Sequence, residues 1–150
     1  MKKMRINKES YYLKIAQAVS LRSTCLKRNY GCVIVNNDEI IATGYNGSPR
    51  GYTNCCDTGI CMRLDKPHNS GDYSDCCSVH AEQNAMLSAS RSQMLGATMY
   101  LYGTEYNEYL VPVDIERCEP CPICMRMIQN SGISRVISKK GLVWSKDGIN

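Results

Sequence analysis

The sequence has no phenylalanine, a single tryptophan and only two histidines among its 150 residues. It also lacks any run near the roughly 18 consecutive apolar residues that span a bilayer, so no membrane helix is expected. An export signal is not expected either. Met1-Lys2-Lys3-Met4-Arg5 opens with positive charge, but Ile6-Asn7-Lys8-Glu9-Ser10 follows it where an apolar segment would be needed. A cytoplasmic location is the expectation. Strong charge of one sign is missing too: the net +4 is mild and scattered, which argues against nucleic acid while suiting an anionic small molecule. The densest basic stretches, Lys2-Lys3-Met4-Arg5 and Lys139-Lys140, lie near the ends and read as solvated surface. No repeat or low-complexity segment is present. What remains, 43% hydrophobic and 21% charged, is the composition of one globular domain over 1–150, long enough to bury a core without staples.

Cysteine, by contrast, is abundant, with ten in the chain. In a secreted protein they would indicate a disulfide framework; without an export signal, metal ligation is the better default. A helix is expected from about Lys8 to Ser23, where Tyr12, Ile15, Ala16 and Val19 fall at helical spacing. Two strands follow, Cys32 to Val35 and Glu39 to Gly44, and the Asn36-Asn37-Asp38 link is hairpin chemistry. Tyr45 to Val79 reads as a long Gly- and Cys-rich excursion, with a Cys-rich insertion at about 52–78. A loop of that length is rare unless functional or pinned, and cysteine-bound metal would pin it. Further helices are expected at about His80 to Arg91 and Pro122 to Asn130, with strands at Thr98 to Tyr102, Arg135 to Ser138 and Leu142 to Trp144. A hairpin followed by alternating helices and strands gives an α/β fold, a three-layer α/β/α sandwich around a central mixed five-stranded sheet.

Two segments carry chemistry: Val79-His80-Ala81-Glu82-Gln83-Asn84-Ala85 and Glu119-Pro120-Cys121-Pro122-Ile123-Cys124. Together they spell H-A-E and P-C-x-x-C, the signature of zinc nucleobase deaminases. Zinc takes four tetrahedral ligands, and a catalytic site supplies three and leaves one for water. His80, Cys121 and Cys124 are the candidate three. Two cysteines three apart on the first turn of a helix project from one side. Pro122 suits the first helical position, and a helix N-terminus favours the ionised thiols. His80 and Glu82, two apart, share a site only if the metal meets the helix end. Both helices are therefore expected to aim their N-termini at the metal. Zinc there would supply an activated water, and Glu82, not a ligand, would move its proton to the pyrimidine and the departing amine. A structural zinc site with an incidental histidine is the bland alternative.

From about Ser10 to Ile137 the chain resembles the deoxycytidylate (dCMP) deaminase family of the cytidine deaminase superfamily. Beyond the zinc motifs, the likeness rests on Ala42-Thr43-Gly44-Tyr45-Asn46-Gly47-Ser48-Pro49-Arg50-Gly51 and on Cys124 to Ile133. The resemblance implies a cytidine deaminase-like fold and hydrolysis of dCMP to dUMP and ammonia, supplying dTMP synthesis. It implies that Asn46 hydrogen-bonds the substrate, at the sugar, with Ala81 also at the substrate. Lys27, Arg28 and Arg50 are candidate phosphate anchors, and each reads equally as surface charge. Some family members hold a second, structural zinc; here Cys25, Cys55, Cys61 and Cys76 match that pattern best, with Cys56, Cys77 and His68 competing. Family members are commonly homohexamers regulated by dCTP and dTTP, and Gly44, Tyr45, Asn46, Gly47 and Ser48 resemble the effector segment. Cys118, three before Cys121, reads either as a stray ligand or as packing, and 104–117 as a lid or a subunit contact. Rival readings are another deaminase, of cytidine or of adenosine in tRNA, and a non-catalytic zinc scaffold in DNA uptake.

Overall fold

Asn37 and Asp38 both take positive φ, 50° and 62°, which closes a two-residue hairpin of the kind whose twist matches its strands. The hairpin joins β1 (Arg28–Asn36) to β2 (Glu39–Tyr45) and begins the sheet. The computed structural model describes residues 1–148. Before the hairpin, α1 (Lys8–Ser20) starts at Asn7, whose side chain accepts the Ser10 N–H at 2.8 Å. It grips the turn from above, since Tyr12 Oη donates to Asp38 at 2.6 Å and Lys8 pairs with Asp38 at 3.0 Å. The helix ends three residues before the expected Ser23, because the chain is needed elsewhere: Thr24 N bonds Asn46 O just past β2.

Residues 46–80 are not structureless. α2 (Cys55–Thr58) is a single turn closed by Gly59, and the segment is shut at its base by paired bonds between Gly47 and Val79. Then α3 (Ala81–Leu87) and α4 (Arg91–Met94) replace the one helix expected to Arg91. The break has a local cause. Ser90 and Gln93 form a capping box that starts a new helix.

The sheet continues with β3 (Thr98–Tyr106), the short β4 (Pro112–Asp114), β5 (Arg135–Ser138) and β6 (Gly141–Ser145); α5 (Pro122–Ser131) links β4 to β5. The order is β2-β1-β3-β5-β6, with β4 paired to the far end of β3. β3 and β5 are parallel and the remaining pairs antiparallel, so the sheet is mixed as expected. The five expected strands form its path, and β4 is an addition. The 104–117 stretch is thus partly sheet: β3 runs four residues further than the apolar pattern indicated and folds back on itself.

Central strands are buried on both faces, which explains their continuous apolar runs. Cys32, Ile34, Met99, Leu101 and Val136 pack beneath α3, α4 and α5, with Ala85, Met86, Met94 and Ile128. Val33, Val35, Tyr100, Tyr102 and Ile137 pack on the opposite face against Tyr12 and Ala16 of α1. The result is the α/β/α sandwich. Gly44 sets the height of α3 on the sheet. A Cβ there would stand 2.3 Å from Ala85 N and 2.4 Å from Ala81 O, so only glycine allows the approach. No helix among the described residues is long and apolar enough to cross a membrane.

Candidate active site

Two helix beginnings meet. His80 is the N-cap of α3 and Cys121 the N-cap of α5, with Pro122 at the first helical position. The His80 Nδ1 atom lies 3.6 Å from Cys121 Sγ and 3.3 Å from Cys124 Sγ. Two ligands at ordinary zinc distances, N at 2.0–2.1 Å and S at 2.3 Å, would be about 3.5 Å apart in a tetrahedron. The trio therefore fits a zinc ion by both donor chemistry and spacing. Among the described residues it is the one group of three or more His, Cys, Asp or Glu ligand atoms within 4.8 Å of one another.

The surroundings favour this donor set. Cys121 accepts the Cys124 N–H at 3.5 Å, the hydrogen bond of a side chain capping its own helix. Hydrogen bonding from Cys124, followed by that from His80, outweighs burial and lowers the Cys121 thiol to about 4. Cys124 moves upward, because it faces the Cys121 sulfur and is buried. His80 is raised by its contact with the Cys121 sulfur.

Glu82 sits at the second position of α3, 5% exposed, in the same cleft as His80 and Cys121. Burial pushes its carboxyl above the ordinary carboxylate range, so it is suited to hold a proton and return it. The arrangement resolves the spacing problem posed by the sequence. His80 and Glu82 share the site because it lies at the tip of α3, where the cap residue and the first turn both face it.

The cleft also takes in Lys27, Arg28, Asn46 and Ala81. Lys27 Nζ donates to the carbonyl of Arg63 at 3.1 Å and to that of Lys66. Arg28 pairs with Glu105 at 2.7 Å across the β1–β3 ladder. Asn46 is 8% exposed and its carboxamide bonds the main chain of β1 on both sides. Arg50 lies elsewhere, in a second cleft with Gly44, Tyr45, Gly47 and Ser48. The expected effector segment is thus divided, with Asn46 on the active-site side and its neighbours on the other.

The expected second ligand set is less compact. Cys25, Cys61 and Cys76 line the first cleft, but with Cys55 they form no group within 4.8 Å among the described residues. Cys25 contacts Ser78 Oγ at 3.1 Å, while Cys55 lies 3.6 Å from Cys77, one of the competing residues. Cys118 is buried against Ile115 O and Tyr30, and belongs to the core rather than to the metal trio.

Two site residues left no trace in the sequence. Arg63, with Glu82, is one of the two charged side chains buried among the described residues. It donates to Asp72 O and to Ser70 Oγ at 2.7 Å, and its guanidinium stands 4.5 Å from the centre of the Tyr73 ring. Tyr73 meets the His80 imidazole nearly at right angles, centres 5.3 Å apart. The Cys-rich segment is therefore a wall of the site, and it braces His80. Irregular segments have no hydrophobic period from which such packing could be read.

The chain matches the model of the cytidine and deoxycytidylate deaminase zinc-binding region over residues 6–140. It is a member of that family. Within it, the chain is 36% identical over 138 residues to the deoxycytidylate deaminase of Mycobacterium phage D29, covering 88% of this chain and 94% of that one. It is 39% identical over 140 residues to the deoxycytidylate deaminase of Saccharomyces cerevisiae, and 38% over 132 residues to that of Schizosaccharomyces pombe. These matches cover 89% and 86% of this chain but only 38% and 36% of the two yeast proteins. Among solved structures, the dCMP deaminase of cyanophage S-TIM5 in complex with dCMP and dUMP superposes with a TM-score of 0.61 at 26% identity, covering 91% of this chain and 83% of that one. In this deaminase-family chain the H-A-E and P-C-x-x-C segments meet in one cleft, while residues 44–50 divide between two.

Proposed function

We propose that the chain is a zinc-dependent dCMP deaminase, hydrolysing dCMP to dUMP and ammonia in one catalytic domain. The observation that carries the proposal is the placement of buried Glu82 beside the His80, Cys121 and Cys124 trio. A purely structural zinc site gains nothing from a desolvated carboxyl, which is costly to bury. The names of the phage and yeast relatives, and the dCMP and dUMP bound to the cyanophage enzyme, support the choice of substrate.

In this reading His80, Cys121 and Cys124 hold the metal, which when bound polarises a water for attack on C4 of the pyrimidine. Glu82 accepts the proton of that water, passes it to N3, and delivers a proton to the leaving amine. Its raised proton affinity serves both directions of transfer. Asn46 and Ala81 border the substrate, and Lys27 and Arg28 give the cleft the cationic chemistry a phosphate needs. A second zinc among the cysteines near Cys25 and Cys55, dCTP and dTTP as effectors at the cleft of Gly44, Tyr45, Gly47, Ser48 and Arg50, a homohexameric assembly and a cytoplasmic setting complete the proposal.

The test is release of dUMP and ammonia from dCMP by the zinc-loaded chain, with and without dCTP, against Glu82→Gln. We expect turnover in the native chain and a loss of at least 10²-fold in the variant, with zinc retained. No turnover by the native protein under either condition would overturn the assignment.

A further inference from the structure

Asn46 lies one residue beyond the end of β2, and its side chain takes over where the β-ladder stops. Oδ1 accepts the Tyr30 N–H at 2.8 Å and Nδ2 donates to Arg28 O at 2.9 Å. A backbone donor on one side and a backbone acceptor on the other fix which end of the amide is oxygen and which is nitrogen. The reversed amide would set N–H against N–H and oxygen against oxygen. The two partners belong to β1, which β3 holds in register through Arg28↔Glu105 and Tyr30↔Gly103.

A third contact completes the arrangement. Ser23, in the turn after α1, donates its hydroxyl to the same Oδ1 at 2.6 Å, and its oxygen accepts the Cys25 N–H at 3.3 Å. Oδ1 thereby receives two donors, the capacity of a carbonyl oxygen. Of the two Nδ2 hydrogens, one is committed to Arg28 O, and the other has no partner among the described residues. The carboxamide, 8% exposed in the wall of the catalytic cleft, can therefore offer a ligand a donor and not an acceptor.

We propose that Ser23 is a positioning residue that saturates and steadies the Asn46 carboxamide, so that the cleft presents one N–H and selects a substrate with an oxygen acceptor on its sugar. This rests on the reading that Asn46 hydrogen-bonds the substrate at the sugar, whose one free hydroxyl in dCMP is the group the dideoxy analogue lacks. Without the Ser23 hydroxyl, Oδ1 has a lone pair to spare, the amide is held by two bonds instead of three, and the site loses its bias toward an acceptor. Ser23 itself touches no reacting atom.

The experiment compares kcat/KM for dCMP and for its 2′,3′-dideoxy analogue in the zinc-loaded full chain. The variants are Ser23→Ala, Ser23→Thr and Asn46→Ala, with melting temperature measured for each. The native chain should prefer dCMP, Asn46→Ala should lose the preference, and Ser23→Ala should reduce it roughly tenfold, the worth of one good hydrogen bond. Ser23→Thr, which keeps the hydroxyl, should restore it. Where Ser23→Ala does not fold, Ser23→Cys, a weaker donor of similar size, should give an intermediate ratio. A native preference retained in Ser23→Ala, or in Ser23→Cys, but lost in Asn46→Ala would overturn the role of Ser23 alone. Equal preference in the native chain and Asn46→Ala would remove the sugar contact and the proposal with it.

Discussion

Replacing Gly44 by alanine should damage the active site from beneath. The added methyl carbon would lie 2.3 Å from Ala85 N and 2.4 Å from Ala81 O. Carbon contacts relax only near 3.5 Å, so α3 would have to rise by about 1 Å. Both obstructing atoms are main chain and cannot rotate aside. Gly44 has no positive φ, so the effect is steric rather than conformational. The cost of forcing extra volume into such a contact is about 1–3 kcal/mol. At roughly 2–4 °C per kcal/mol for a chain of this size, a 2 kcal/mol loss lowers the melting temperature by about 4–8 °C. The functional loss should be larger, because α3 carries His80 and Glu82 while Cys121 and Cys124 stay behind on α5. A misplacement of about 1 Å costs on the order of 10²-fold in rate. Calorimetry, dCMP turnover and zinc content on the same preparation give the three readouts. A Gly44→Ala protein with native melting temperature and native turnover would refute the account of how α3 is seated.

Ile128, fully buried on α5, should cost about 3 kcal/mol when cut to alanine, whereas Ile123→Ala on the exposed side of the same helix should stay within about 0.5 kcal/mol; urea unfolding distinguishes them. Tyr73→Leu should weaken zinc retention against a chelator by roughly 10-fold or more, while Tyr73→Phe, which keeps the ring against His80, should not. The hydrogen bond from Tyr12, and then the Lys8 ammonium, hold the Asp38 carboxyl below its ordinary value. A depressed carboxyl contributes stability above its unfolded pKa and loses it as pH falls through the folded value. Asp38→Asn should therefore flatten part of the acid limb, read as unfolding midpoints between about pH 5 and about pH 3, and an unchanged limb would remove the pair from the account.

The fold was legible wherever one period dominated. The Tyr12, Ala16 spacing of α1, the Asn37-Asp38 turn and the apolar runs of β1, β3 and β5 each point to one structure at short range. The His80, Cys121 and Cys124 group and Glu82 were legible for a different reason: ligand chemistry restricts which residues can stand together, and the two motifs name all four. Other features escaped because their causes are distant in the chain. β4 exists because β3 outruns β5, which pairs only as far as Tyr100, and α1 stops where Thr24 turns to meet Asn46. Arg63 and Tyr73 sit in a segment with no period at all, and Arg50, three residues from Gly47 in sequence, faces the cleft that does not hold the metal trio.

The bond from Lys27 to the carbonyls of Arg63 and Lys66 has a consequence for how such a site changes over generations. A carbonyl oxygen is the same whatever side chain its residue carries. The wall formed by Pro67, His68 and Asn69 thus keeps its acceptors for Lys27 through any substitution in the loop itself, while the groups it turns toward the cleft are free to be exchanged. Exchanging a side chain there changes what the cleft meets while Lys27 still holds the loop.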